Sequence, residues 1–474
     1  MGKIKKRYKG YIYPLSLILT LGTFAEASIF DSNSTNDAPV GVPLAETSKD
    51  IEFGKQPADV LYGELSPERA GFRVANTELG TLNISLWTYA RYLNSTGLDP
   101  VSYDASGNER DVTTRNDVQL SKITLQFKGW VFDEKLHYLV YMWQNNNNWG
   151  NDSSSAFAGN LQYLFSNRLK GGAGIVGLPS SRAMEGAHPR LNRVDVRNMA
   201  EEFFRASYTS GVWLEGAPLG NDMYFRSVLA NNLNQIGVDF SKMDETIDTW
   251  STGIWWNVMG KYAAEGMEWS GGNYGDFENH QNVAIRMGVH YTTSGETAQG
   301  QPGVDAILNS QIRLSDGRLI FKSPEVFNGG LLDKLHYQLF SADAGVKYKG
   351  FALEGEFFYR YLNDFQFLGA DPTLDFDSLT DTGLSIQPSY MLIEQTLQTY
   401  LSASKIWGDF GEPWDTSIGL NYYPFGATNK QYGRQVRLNA DAMYTENSAI
   451  GNGSIPYSVG GTGWTFSLSA ELWF

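Results

Sequence analysis

The last eleven residues, Trp464 to Phe474, constrain the fold more than any other stretch of the chain. Trp464, Phe466, Leu468, Ala470, Leu472 and Phe474 share one parity; Thr465, Ser467, Ser469 and Glu471 share the other, with Trp473 the single exception. A strand turns successive side chains to opposite faces, so this segment has one apolar face and one polar face. A tilted strand of about ten residues also matches the hydrocarbon thickness of a bilayer. Periodicity alone fits the closing strand of a soluble β-sandwich as well, because both settings give one parity an apolar neighbour.

The N-terminus separates the two settings. Lys3, Lys5, Lys6, Arg7 and Lys9 precede an apolar run from Tyr11 to Phe24, and Ala25-Glu26-Ala27 supplies the small-x-small cleavage pattern of a secretory signal peptide over residues 1–27. No later stretch approaches the ~18 uninterrupted apolar residues of a membrane helix. An exported chain of mean hydropathy -0.32 that reaches a membrane is left with a closed barrel, since only helices and barrels satisfy the backbone in lipid. Phe474, with Leu472, Leu468 and Phe466 behind it, resembles the C-terminal signal by which the barrel-assembly machinery recognises outer-membrane barrels.

Composition agrees with this. The chain has no cysteine, which excludes thiolate chemistry and Cys-ligated metal and leaves stability to the hydrogen-bond ladder. A formal net charge of -15 disfavours nucleic acid and anionic surfaces as partners. The 50 Gly, 26 Tyr, 26 Phe and 13 Trp suit turns and two aromatic girdles.

Residues 28–75 are rich in Ser, Asn, Asp, Pro and Glu without sustained periodicity and read as a periplasmic leader or linker. Residues 76–474 alternate. Leu82, Ile84 and Leu86 oppose Asn83, Ser85 and Trp87; Ile123, Leu125 and Phe127 oppose Lys122, Thr124 and Lys128; Val283, Ile285, Met287 and Val289 oppose Arg286 and His290. Leu353, Phe357 and Tyr359 oppose Glu354, Glu356 and Arg360, while Leu438, Ala440 and Ala442 oppose Arg437, Asn439 and Asp441. The pattern predicts an all-β fold, a transmembrane antiparallel β-barrel of about 16 strands with short turns at one end and long loops at the other. Tight turns fall at Phe132-Asp133-Glu134, Ser166-Asn167-Arg168 and Lys349-Gly350. Met267 to Asn282 fits poorly, being long where a short turn is expected.

Several motifs carry alternative chemistry. Gly172-Ala-Gly174-Ile-Val-Gly177 satisfies the dinucleotide fingerprint, but Pro179 and the surrounding period of two deny it the helix it needs. The histidines, His137, His188, His280, His290 and His336, show no metal-ligand spacing. Glu354 and Glu356 share a face as a glycosidase pair would, with Arg360 beside them making a charge cluster of the lumen wall. No cofactor is implied. Between Arg182 and Arg197 four arginines face only Glu185 and Asp195, a locally basic loop in an acidic chain.

That loop carries a resemblance. Gly177-Leu-Pro-Ser-Ser-Arg182, the Leu191-Asn-Arg193-Val-Asp195 run and Gly211-Val-Trp-Leu-Glu-Gly216, together with Gly345-Val-Lys-Tyr-Lys-Gly350 and Leu420-Asn-Tyr-Tyr-Pro-Phe-Gly426, resemble the phosphate-selective porin O and P family. The resemblance implies a homotrimeric outer-membrane porin giving small hydrophilic solutes passive diffusion, with an anion or phosphate preference and contact with outer-membrane lipid and lipopolysaccharide. It implies a third external loop folded inward, placing Arg182, Arg190, Arg193 and Arg197 at the constriction; strand parity makes Lys122, Lys128, Arg205, Arg286, Arg360 and Arg437 candidate lumen cations. The other loops are acidic, with Asp99, Asp104, Glu109 and Asp111 in the first and Asp371, Asp375 and Asp377 in the sixth. A vestibule of that sign repels anions over about a Debye length, ~8 Å at physiological salt. A barrel with a plugged lumen, working through its loop surface, is the alternative reading.

Overall fold

The computed structural model describes residues 71–145, 154–185, 191–217, 220, 222–234, 246–264, 271–298, 312–427, 436–451 and 456–473. Residues 1–70, on which the expected signal peptide and most of the expected leader fall, Arg190, the centre of the second external loop and Phe474 lie outside the described residues.

In chain order the strands are β1 (Phe72–Thr77), β2 (Gly80–Leu98), β3 (Val101–Tyr103), β4 (Glu109–Asp111), β5 (Asn116–Val131), β6 (Asp133–Asn145), β7 (Ser154–Ser166), β8 (Leu169–Gly177), β9 (Tyr208–Gly216) and β10 (Met223–Ala230). They continue as β11 (Thr249–Met259), β12 (Ala284–Thr297), β13 (Leu331–Tyr348), β14 (Phe351–Leu368), β15 (Ser378–Ile393), β16 (Leu397–Gly408), β17 (Trp414–Tyr422), β18 (Val436–Glu446) and β19 (Gly463–Trp473). β2 and β5 to β19 form a closed ring of 16 antiparallel strands, and β19 closes it on β2 from Gly463↔Leu98 to Trp473↔Trp87. β1 pairs with Gly80 to Ile84 of β2, on the edge that β19 leaves free before Trp87. The ladder therefore begins at Phe72, four residues ahead of the expected barrel start at 76. β3 and β4 make a separate hairpin inside the first external loop.

The outer face obeys the alternation. On β19 Trp464, Phe466, Leu468 and Leu472 are exposed while Thr465, Ser467, Ser469 and Glu471 are buried inside. The same division holds on β12, where Met287 is exposed and Arg286 and His290 are buried, and on β18, where Leu438 is exposed and Arg437 and Asp441 are buried. Trp250, Trp407 and Trp464 ring one end of the outer surface, and Tyr348, Phe351, Tyr390 and Tyr422 ring the other. A closed barrel that is apolar outside between two aromatic girdles and polar inside is the architecture of bacterial outer-membrane proteins, and this chain is one.

The tight turns at Phe132 and Lys349-Gly350 use left-handed backbone, with φ 65 at Phe132, 47 at Lys349 and 80 at Gly350. Gly172 and Gly174 lie within β8 rather than ahead of a helix; a Cβ at Gly172 would run into the Trp213 ring. The dinucleotide motif is thus a close strand packing.

The segment after β11 differs from the sequence reading. β11 is one strand, and the long connection to β12 turns back into the barrel from the short-turn end, burying Tyr262, Tyr274 and Phe277. The inner wall is also not uniformly polar. Leu332, Leu335, Tyr337, Leu339, Phe358, Leu362, Leu379 and Ile406 point inward toward the long-loop end, where they pack with Ile312, Leu314, Ile320 and Phe327 of the fifth external loop.

Leu438 and Leu468 face lipid near mid-strand. Placing Arg at either should lower stability by about 2 to 4 kcal/mol, read by urea titration of the folded fraction in vesicles. Unchanged stability in both variants would place them on the inner wall.

Candidate pore constriction

The third external loop, residues 178–207 between β8 and β9, leaves the wall and crosses the lumen. Its first part docks on β12 to β14. The Ser341 hydroxyl donates to the Ser180 carbonyl at 3.2 Å, and the Arg182 backbone N–H donates to Glu356 at 2.9 Å. Arg182 pairs with Glu185 at 3.1 Å and with Glu354 at 3.3 Å, and Glu185 accepts from Arg286 at 2.6 Å. Arg286 also meets Asp343 at 3.0 Å.

The second part crosses to β15 to β19 and back to β2 and β5. Arg193 pairs with Asp441 at 2.7 Å, and Asp195 takes a proton donor from Lys122 at 3.0 Å and from the Tyr89 hydroxyl at 2.8 Å. Arg437, held by Glu471 at 2.7 Å, donates to the Leu191 carbonyl at 3.0 Å. The Asn421 amide donates to the Asn192 carbonyl at 2.7 Å.

The loop then forms α1 (Met199–Phe204). Asn198 caps it, accepting from the Glu201 N–H, while the Glu201 carboxylate accepts from the Asn198 N–H, a reciprocal capping box. Two further N–H groups of the first turn go to the wall: Met199 donates to Asp415 and Ala200 to Ser404. A buried helix end needs such acceptors. At the other end Phe204 stacks on Phe358 at 5.0 Å, and the Arg360 guanidinium sits 4.3 Å from the Phe203 ring. The inward-turned segment before β12 meets the loop from below. The Tyr262 hydroxyl donates to Glu354 at 2.5 Å, the Tyr274 hydroxyl to Glu201 at 2.9 Å, and Arg182 to the Gly272 carbonyl at 3.2 Å.

The structure therefore gathers Arg182 and Arg286 into one ionic cluster and sets Arg193 in a second, on β18. Arg197 pairs with Glu202 at 3.4 Å and Arg205 with Glu202 at 2.6 Å, on the α1 surface. Arg360 pairs with Asp381 at 2.7 Å. Lys122 and Lys128 face inward opposite Tyr89 and Asn83 in the β2–β5 register. Arg190 and Phe474 are outside the described residues; Leu472, Leu468 and Phe466 face lipid.

Glu185, His290 and Asp343 bring ligand-type atoms within 4.8 Å of one another. His290 nevertheless uses both ring nitrogens, Nδ1 against the Pro179 carbonyl at 2.9 Å and Nε2 against Asp343 at 3.1 Å. A carbonyl only accepts, so Nδ1 carries a proton; with Nε2 facing a carboxylate the cluster is an ion-pair network with Arg286. Glu354 is likewise occupied by the Arg182 guanidinium, while Glu356 accepts only the Arg182 backbone N–H and keeps one oxygen buried without a hydrogen bond.

Sequence reasoning missed the Tyr262 and Tyr274 segment and the capping box. The Asn198-x-x-Glu201 spacing before Phe203-Phe204 is the signal that could have found the helix. The inner carboxylates, by contrast, share parity with predicted lumen cations.

No family model and no curated protein matches the chain. Among solved structures it is similar to outer-membrane protein OmpT of Vibrio cholerae (9% identity, TM-score 0.46, covering 84% of this chain and 99% of that one). It is also similar to the outer membrane channel DcaP of Acinetobacter baumannii (9%, 0.46, 85% and 100%) and to the anion-selective porin from Comamonas acidovorans (8%, 0.45, 83% and 100%). Nothing in these comparisons singles out the phosphate-selective porin O and P family.

The two inward segments respond oppositely to pH. Burial opposes charge on Glu185 and on Asp195, but Arg286 and Arg182 around the first, and Lys122 and Tyr89 around the second, hold both carboxyls below their ordinary range. Such groups contribute stability above their unfolded pKa, near ~4, and lose it as pH falls through the lower folded value. His280, hydrogen-bonded to Asp276, is raised; its contribution is complete below about 6.5 and is lost as pH rises through the folded value. Hydrogen exchange should show residues 191–197, held through Asp195, loosening below about pH 4, and residues 271–283 loosening on the alkaline side of neutrality; burial raises the Glu201 carboxyl in α1, which carries the opposite sign. The reverse assignment would contradict these contacts.

Proposed function

We propose that the chain is an outer-membrane channel passing small hydrophilic solutes, with the third external loop limiting the flow. The carrying observation is that a closed 16-strand barrel has a charged, hydrogen-bonded inner wall crossed by a loop. Between its backbone-paired ends, the described residues of that loop are held to the wall mainly by contacts that involve a side chain. Such a contact set can be broken without opening the barrel.

The selectivity reading follows from the charges. Arg182, Arg193 and Arg197 each face a carboxylate, so the constriction is an alternation of signs rather than a bare cationic ring. Cations and anions then meet comparable barriers there, while the acidic external loops favour cations at the mouth. An anion or phosphate preference requires Arg190 to add uncompensated charge. The chain works as a homotrimer in this reading, assembled through the C-terminal signal at Phe466, Leu468, Leu472 and Phe474.

A second reading, a plugged barrel acting through its loops, is favoured by the packing density: Phe204, Tyr262, Tyr274 and Tyr457 are all 2% exposed or less.

Refolded protein in planar bilayers tests both. The channel reading expects conductance closing in groups of three steps, a several-fold increase on deleting residues 186–197, and a lower anion-to-cation permeability ratio in the Arg190→Glu, Arg193→Glu double variant. Absence of conductance even after the deletion would leave the plugged barrel.

A further inference from the structure

The outer mouth holds a pocket that the constriction does not use. It has a volume of about 330 Å³ and is built from the first, fifth and eighth external loops. Arg110, Arg313, Arg318 and Lys322 line it against a single carboxylate, Asp111. In a chain of net charge -15, with acidic neighbouring loops, that concentration of cations is local and specific.

The four cations are not equivalent. Arg318 is satisfied, with Asp316 at 2.7 Å and Glu325 at 2.9 Å. Arg313 gives one N–H to the Gly317 carbonyl at 2.9 Å and makes no ion pair among the described residues. Burial pushes its guanidinium down to about 10, which leaves it a cation at neutral pH. Arg110 donates to the Asp316 carbonyl at 3.0 Å, while its Nε is buried without a partner. Lys322 stands exposed at the end of a single helical turn and makes no ion pair among the described residues. Arg313 and Arg110 are half-buried, neither makes an ion pair among the described residues, and only the more distant Glu202 acts on Arg313, so the pair has donors left for an anion. Guanidinium groups suit carboxylate and phosphate because they present a planar fork of donors.

The remaining lining narrows the class. Leu319 and Val459 give the pocket an apolar side, and Ser458, whose hydroxyl donates to the Thr113 carbonyl at 2.7 Å, completes the wall beside it. The volume falls at the lower end of small-molecule sites, about 300 to 1,000 Å³, and leaves room beyond a bare oxyanion. We infer that this pocket binds a small organic solute carrying a carboxylate or phosphate group, with Arg313 and Arg110 holding the oxyanion and Lys322 at the entrance. The site lies outside the barrel wall's ladder and its binding equilibrium does not depend on whether the pore conducts.

Isothermal titration of the full chain, refolded without lipopolysaccharide in detergent at low salt, tests this with succinate, glycerol phosphate and neutral glycerol. The expected result is saturable binding of at least one of the two anions and none of glycerol. Arg313→Gln should weaken that binding tenfold or more, and Lys322→Gln several-fold. Lys322 is exposed, so the second variant keeps the test valid if the first fails to fold. Binding of neither anion, or binding unchanged in Lys322→Gln and in a folded Arg313→Gln, would overturn the site. Binding of lipopolysaccharide phosphates at these residues with no affinity for the free anions would overturn the assignment to a soluble ligand.

Discussion

Closure of the hydrogen-bond ladder between β19 and β2 is the constraint on which the rest of this structure depends. Within lipid an unpaired backbone group costs several kcal/mol, so an open edge at either strand would exclude the sheet from the membrane. The closing pair runs from Gly463 to Trp473 along β2, and β1 continues the same edge beyond Trp87. A chain without disulfides thereby obtains a continuous ring of 16 strands with no open edge among the described residues.

Closure also creates an interior that must be filled or hydrated, and here the two halves are treated differently. Toward the long loops the wall turns apolar, and Phe204 of α1 packs against Phe358 among leucines and isoleucines of β13 to β16 and the fifth loop. Deeper in the barrel the compensation is ionic, with Arg182, Glu185, Arg286, Asp343 and Glu354 in one network. Removing one member of such a buried network leaves a charge unpaired, which typically costs 3 to 5 kcal/mol. The network therefore fixes the loop's position more than it adds to overall stability. Hydrogen bonds connect the external loop to the segment entering from the opposite end, through Arg182 on the Gly272 carbonyl and Tyr274 on Glu201.

Much of this was legible in the chain. The strand parities, the short turns at Phe132 and Lys349, and the inward set Arg286, Arg360, Arg437, Lys122 and Lys128 followed from a period of two, because lipid outside and polar groups inside leave each strand a single consistent assignment. The apolar inner layer was not read. Phe357 with Phe358, and Leu331 with Leu332, are apolar at both parities, which is the mark of a strand that meets lipid on one side and a packed loop on the other. The partners of the loop arginines were equally hidden. Arg193 reaches Asp441 across 248 positions, and sequence spacing carries no information about pairs brought together by ring closure. The basic character of residues 182–197 was visible; the pairing of Arg182 with Glu354 and of Arg193 with Asp441 depended on the fold. In the sequence, Met267 to Asn282 stands out only as a connection too long for a short turn.

The third external loop occupies the lumen and covers the wall beneath it. The absence of cysteine from the chain makes a direct measurement available. A Ser385→Cys substitution places a thiol on β15 where Asn198 of the loop contacts the native hydroxyl at 2.6 Å. Its rate of reaction with a charged, membrane-impermeant thiol reagent reports whether the site is covered. The account predicts a rate at least a hundredfold below that of the same thiol in unfolded protein, rising when Asp441→Asn weakens the loop's hold. A rate close to that of the unfolded chain would show an open lumen and contradict it.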